Sequence, residues 1–158
     1  TCCNSYNWYK TIDNITTTDV TCVGADDGTI TITASGGTGS LFYSIDGGLI
    51  YGAADVNTFS GLAIGMYSVT VKDANDCSVA TPQDVDIING DMTPPTMECK
   101  PTTAFLDNNG LVTITVADID NGTTDNCALD TMFLSQYDYD CSNIPSAIVW
   151  LYAIDTNG

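Results

Sequence analysis

The sequence predicts an all-β chain built as two antiparallel β-sandwich modules in series. Three observations predict it. Apolar residues alternate with threonine and serine at a period of two. Clusters of glycine and aspartate punctuate that alternation. The acidic residues are almost all aspartate: of 20 acids only Glu98 is a glutamate, and the only bases are three lysines, for a net charge of −17. Aspartate is a turn residue and a poor helix former, whereas Glu, Lys and Arg favour helix. An apolar fraction of 44% is enough for a core, so disorder is not expected despite the charge.

The elements follow in chain order. Residues 29–35 place Ile30, Ile32 and Ala34 on one face and Thr29, Thr31, Thr33 and Ser35 on the other, the pattern of a strand with one wet side. Gly36-Gly37-Thr38-Gly39 supplies the positive-φ positions of a reversal. Leu41, Tyr43 and Ile45 line a second strand that stops at Asp46-Gly47-Gly48. Phe59 to Leu62 is a short apolar step closed by Gly65. Tyr67, Val69 and Val71 form a strand ending at Asp73-Ala74-Asn75-Asp76, and Val85 and Ile87 form another. Pro94-Pro95 in the stretch 89–96 cannot sit inside a sheet, so the module boundary is placed there. Beyond it, Ala104-Phe105-Leu106 runs into Asp107-Asn108-Asn109-Gly110, a hairpin turn. Val112, Ile114 and Val116 alternate with threonine, residues 118–127 are a polar loop, and Met132-Phe133-Leu134 is a strand. Ile148, Trp150, Tyr152 and Ile154 make a final strand, with Trp150 expected in the core. No segment has a helical period.

Composition also excludes function classes. A nucleic-acid binder neutralises phosphates with Lys and Arg, which this chain nearly lacks. Anionic membrane is excluded on the same ground, and no apolar run is long enough to span a bilayer. Cations are the natural partners of so acidic a chain. There is no histidine, no Gly-x-Ser-x-Gly elbow and no phosphate loop, so the chain is not expected to be an enzyme. Seven cysteines without a Cys-x-x-Cys pair fit disulfides in an oxidising, extracellular compartment better than a zinc site. The start lacks a signal-peptide pattern and reads as interior, as in a fragment or a processed piece.

Residues 20–77 carry a long motif string: Cys22, Asp27-Gly28, Gly36-Gly37, Phe59…Gly61-Leu62, Gly65…Tyr67 and Asp73…Cys77. This string closely resembles the SprB-type repeat of Bacteroidetes cell-surface and gliding adhesins. Residues 91–158 resemble the hyalin-repeat or immunoglobulin-like modules of similar secreted proteins. The resemblance implies large, exported, repetitive proteins. It gives a junction strand or linker at 1–18, an SprB-like module at 19–90 and an immunoglobulin-like module at 91–158 that lacks its last strand. Related modules continue past the Asn-Gly at which this chain stops. The start, with Tyr6, Trp8 and Lys10 alternating against Asn7 and Tyr9, reads like that missing strand. Residues 1–13 then complete a neighbouring module, either along a tandem array or by strand donation between subunits; a plain chain boundary is the competing reading.

The candidate sites follow from both sources. The SprB resemblance puts Cys22 and Cys77 at the two ends of one module and pairs them. Cys127 and Cys141 flank one excursion of the second module and are paired as well. Cys99 is left to Cys2 or Cys3 of a neighbouring unit, its usual partner lying on the absent strand; the seventh cysteine is unassigned. Asp118, Asp120, Asn121 and Asp125 gather oxygen ligands suited to calcium, and Asp91 adds one at the module junction, although Asp and Asn also cap turns without metal. Asn14 and Asn121 open N-glycosylation sequons, and the resemblance suggests O-glycosylation at Thr131. The expected function is a structural and adhesive module of a secreted surface adhesin or extracellular filament, with copies of itself as partners. The alternative is a module that binds a glycan or protein, with aromatic residues such as Trp8, Tyr9, Tyr137, Tyr139 and Trp150 as a platform.

Overall fold

The alternation of residues 29–35 becomes strand β2 (Gly28–Ser35) in the computed structural model, which describes residues 10–79 and 81–156. Ile30 and Ile32 are fully buried, while Thr33 and Ser35 are exposed. Each such isoleucine contributes about 1.5–3 kcal/mol by leaving water. β2 is the middle strand of a three-stranded antiparallel sheet, between β1 (Thr11–Thr18) and β4 (Thr58–Leu62). Its threonine face forms hydroxyl pairs across the sheet: Thr18 with Thr29 at 2.7 Å and Thr31 with Thr58 at 3.2 Å. Such pairs contribute roughly 0.2–1 kcal/mol each.

A second antiparallel sheet has the order β3 (Leu41–Ser44), β5 (Gly65–Asp73), β6 (Gln83–Ile87). Tyr43, Val69, Val71 and Ile87 from this sheet and Ile30 and Ile32 from the first form one buried cluster, joined by Val20. Val20 itself bridges to Asn89 beside the end of β6. These elements belong to a compact unit, Thr1–Gly90.

Residues 11–18, set apart by the sequence as a junction, are β1 of this unit, paired along its length with β2. The register shifts between Ile12 and Asn14, a bulge that lets both Ile12 and Ile15 pack on the core. Their odd spacing breaks the period of two, which is why alternation did not reveal the strand. Of the strand expected from residues 1–13, residues 1–9 lie outside the described residues and Thr11–Asp13 belong to β1.

The other compact unit is Asp91–Gly158. Its elements are β7 (Leu111–Thr113), the helical turn α1 (Val116–Ile119), β8 (Leu129–Leu134), β9 (Asp138–Asp140) and β10 (Leu151–Asp155). β7 pairs with β9 and β8 with β10, both antiparallel. The buried core is small: Ile114, Ile119, Leu134 and Tyr139. Among the described residues the chain is all-β apart from α1 and one 3-10 turn, Cys141–Asn143.

Three expectations for this unit are corrected. Val116 starts a helix rather than extending a strand, because Thr115 donates from both its amide and its hydroxyl to Asp118 and closes a turn. Ala104-Phe105-Leu106 lies outside any strand, with Phe105 86% exposed. The last strand begins only at Leu151, so Ile148 and Trp150 are exposed at 82% and 64% instead of entering the core. At Ala104–Leu106 and Ile148–Val149 the apolar pattern of a strand is present and, among the described residues, the hydrogen-bonding neighbour is not; Trp150 already bonds to Ser135 through its N–H and its carbonyl.

Candidate functional site

The aspartates that dominate the acidic count act first as turn clamps. Asp73, 1% exposed, ends β5. Its carboxylate accepts backbone N–H bonds from Asn75 at 2.9 Å, Cys77 at 3.1 Å and Thr38 at 3.1 Å. The Lys10 ammonium lies 3.3 Å away, also buried. Burial opposes ionisation of Asp73, but the N–H donors of Cys77, Thr38 and Asn75 together with Lys10 outweigh it and leave the carboxyl below its usual range. Gly37 closes over this pair at φ +78°, and a Cβ there would meet Asp73 Cβ at 3.1 Å and Lys10 Cγ at 3.2 Å. The sequence carries no signal for a pair this far apart in the chain.

Asp46 and Asp107 repeat the device locally. Asp46 accepts from the amides of Leu49 and Ile50 and from the Ser44 hydroxyl. Asp107 accepts from Asn109 at 2.8 Å and Leu111 at 2.9 Å, with Gly110 at φ +76° completing the turn. Asp27 holds the Thr21 amide and hydroxyl.

The carboxylates expected to share a calcium ion are divided. Asp118 is held by Thr115, and its hydroxyl and amide keep the carboxyl ionised below the usual range. Asp120 accepts from the Thr123 amide at 2.9 Å. Asn121 is exposed, its amide bonded to the Glu98 carbonyl. Asp125 instead approaches Asp91: ligand atoms of Asp91, Asp125 and Cys127 lie within 4.8 Å of one another. Asp91 is 5% exposed and accepts from the Thr93 amide at 3.0 Å and the Asn126 side chain at 3.1 Å, which lower its pKa in that order. Asp125 Oδ1 accepts from the Cys127 amide, while Oδ2 is buried with no hydrogen-bond partner among the described residues. Cys127 is disulfide-bonded, so its sulfur is no thiolate ligand, and the cluster offers two carboxylates.

The cysteine pairing differs from expectation. Cys22 and Cys127 are each disulfide-bonded, whereas Cys77, Cys99 and Cys141 are thiols. The expected Cys22–Cys77 and Cys127–Cys141 bridges are therefore absent. For the first the reason is geometric. Cys22 follows Val20, which lies by the Ile87–Gly65 end of β5, while Cys77 sits at the Asp73 end. The length of β5 separates them by on the order of 25 Å, against about 7 Å for the Cα atoms of a bridge. Cys141 lies on the 3-10 turn after β9, its Sγ 3.9 Å from the Gly110 carbonyl, while Cys127 lies in the loop beside Asp91.

Asn14, Asn121 and Thr131, the glycosylation candidates, are all exposed. Of the aromatic residues named for a platform, Tyr139 is buried while Tyr137 and Trp150 are exposed; Trp8 and Tyr9 lie outside the described residues. The stacked pair that does form was not expected: Phe133 on β8 lies over Tyr152 on β10, ring centres 5.0 Å apart. They face each other directly in the β8–β10 register.

Residues 14–49 match the family model of the SprB repeat. The matched segment runs from within β1 through β2 and β3 to the Asp46 turn. No curated protein and no solved structure matches the chain. The SprB repeat is a structural repeat of cell-surface proteins, and the match suggests a repetitive, adhesin-type surface module. No helix among the described residues is long and apolar enough to cross a membrane.

Proposed function

We propose that this chain is a structural and adhesive unit of a secreted surface adhesin or extracellular filament, working mechanically rather than catalytically. The observation that carries the reading is the SprB match, which includes Val20, Ile30, Ile32 and Tyr43 of the first unit's buried cluster. Each unit is read as a β-sandwich, the second one incomplete. The partners are neighbouring copies or modules of the same protein. Aspartate clamps lock the turns, and a surface of threonine and aspartate keeps the sheets from pairing edge to edge. The exposed Asn14, Asn121 and Thr131 are where glycans would attach.

Calcium belongs to this reading at Asp91 and Asp125 rather than along residues 118–125. The partnerless Oδ2 of Asp125 supports that choice, since a cation would supply its missing partner. The exposed Cys99 is where Cys2 or Cys3 of a neighbouring copy would attach. That bond forms by exchange with a disulfide oxidant, which takes up two electrons and leaves as two thiols.

Melting curves against calcium and against a panel of sugars test the reading. A mechanical unit melts higher with calcium and is indifferent to sugars. A sugar-dependent shift would mark the glycan-binding alternative instead.

A further inference from the structure

The second unit contains an open groove of about 280 Å³ with an apolar floor and a partly polar rim that includes Asp140 and Asn143. Its floor is Val112, Ile114, Ile119 and Tyr139. One wall is residues 102–106 and the other residues 143–149, both lacking strand assignment. Among the described residues, no hydrogen bond involves residues 101–106 or 144–149. Two stretches with the apolar composition of strands therefore flank an apolar floor with their backbone groups unused. Unused backbone groups on facing edges are the template for an added strand. The exposed side chain of Ile144 lies on the second wall.

We propose that this groove receives residues 1–9 of a second copy of the chain as an inserted strand. The inference rests on reading the protein as a self-associating unit, and three observations select this occupant. Residues 1–9 carry no charged side chain, in a chain of net charge −17. They can enter the groove of another acidic copy without bringing an aspartate against it. Their length suffices: nine extended residues reach about 30 Å, and the wall at 102–106 runs about 17 Å. Their pattern fits a groove with one apolar floor. Tyr6 and Trp8 fall on one face of a strand and Asn7 on the other. The insertion leaves the exposed thiols Cys99 and Cys141, which neighbour the two walls in sequence, beside the incoming chain.

The test uses the full chain over a range of concentrations. Light scattering follows self-association while amide hydrogen exchange is read at Thr102–Leu106 and Ser146–Val149. Exchange at both walls is expected to slow at least tenfold in step with association. The double variant Tyr6→Ser, Trp8→Ser, with folding checked by the Ile30 and Ile32 methyl signals, is expected to stay monomeric with fast exchange. Excess synthetic peptide of residues 1–9 carrying Cys2→Ser and Cys3→Ser is expected to block association and protect the walls itself. Association with both walls still fast would overturn the groove assignment and leave the filament reading standing. Wall protection independent of concentration would place the chain's own segment there and overturn the second copy. A chain that never associates, with open walls, would overturn both.

Discussion

Replacing Asp73 by alanine removes the acceptor of three backbone N–H groups and the counter-ion of Lys10 in one step. A hydrogen bond to a charged group contributes about 1.5–3 kcal/mol, and breaking a buried ion pair from one side costs about 3–5 kcal/mol. These terms overlap, because an opened turn lets water reach the amides, so the expected loss is about 4 kcal/mol. Lys10→Met leaves the carboxylate with its three amide donors and is expected to cost roughly half as much. For a domain of this size each kcal/mol shifts the melting temperature by about 4–8 °C. Asp73→Ala should therefore lower the melting of the first unit by on the order of 15–30 °C. The methyl signals of Ile30 and Ile32, buried only in that unit's core, report its unfolding separately. An Asp73→Ala melting point within about 3 °C of the parent, or a Lys10→Met variant more damaged than Asp73→Ala, would refute the clamp.

Other outcomes follow from the same structure. The Asp73 carboxyl is depressed in the folded state, so its contribution is present above the unfolded carboxylate range and is lost as pH falls through the folded value. The stability gap between the parent and Asp73→Asn should accordingly close below about pH 4, as read by urea titration in high salt. Ile32→Ala empties a fully buried site at the centre of β2 and should cost about 2–5 kcal/mol by the same titration. Gly28→Ala would set a Cβ 2.8 Å from Ile87 Cγ2 and 2.9 Å from the Leu62 carbonyl, so a loss of about 1–3 kcal/mol is expected. Asp125→Asn should abolish the rise in melting temperature with calcium while leaving the melting point in chelator within about 3 °C of the parent's.

The elements legible in the sequence were those in which alternation and burial coincide. Ile30, Ile32, Val69 and Val71 were readable because a strand with one wet face writes its core residues two apart. β1 was hidden by its bulge, which moves Ile12 and Ile15 onto one face at a spacing that no simple strand has. At Ala104–Leu106 and at Ile148–Val149 the failure ran the other way. The pattern of a strand was legible, and pairing, which depends on a neighbour, was missing.

The candidate site was less legible than the fold, for a related reason. Aspartate in a turn has one sequence signature whether it caps amides or binds an ion, and only geometry separates Asp118 and Asp120 from Asp91 and Asp125. Cysteine pairing depends on which strand ends meet, and β5 keeps Cys22 and Cys77 at opposite ends. The salt bridge of Lys10 joins it to Asp73, at the far end of β5 in the chain, and neither is marked by its neighbours in the sequence.

Electron microscopy of the protein at concentrations where it self-associates tests the mechanical role most directly. Regular filaments with one copy per axial repeat are the predicted result. Isolated particles at every concentration, with a melting point that responds to sugars, would contradict it.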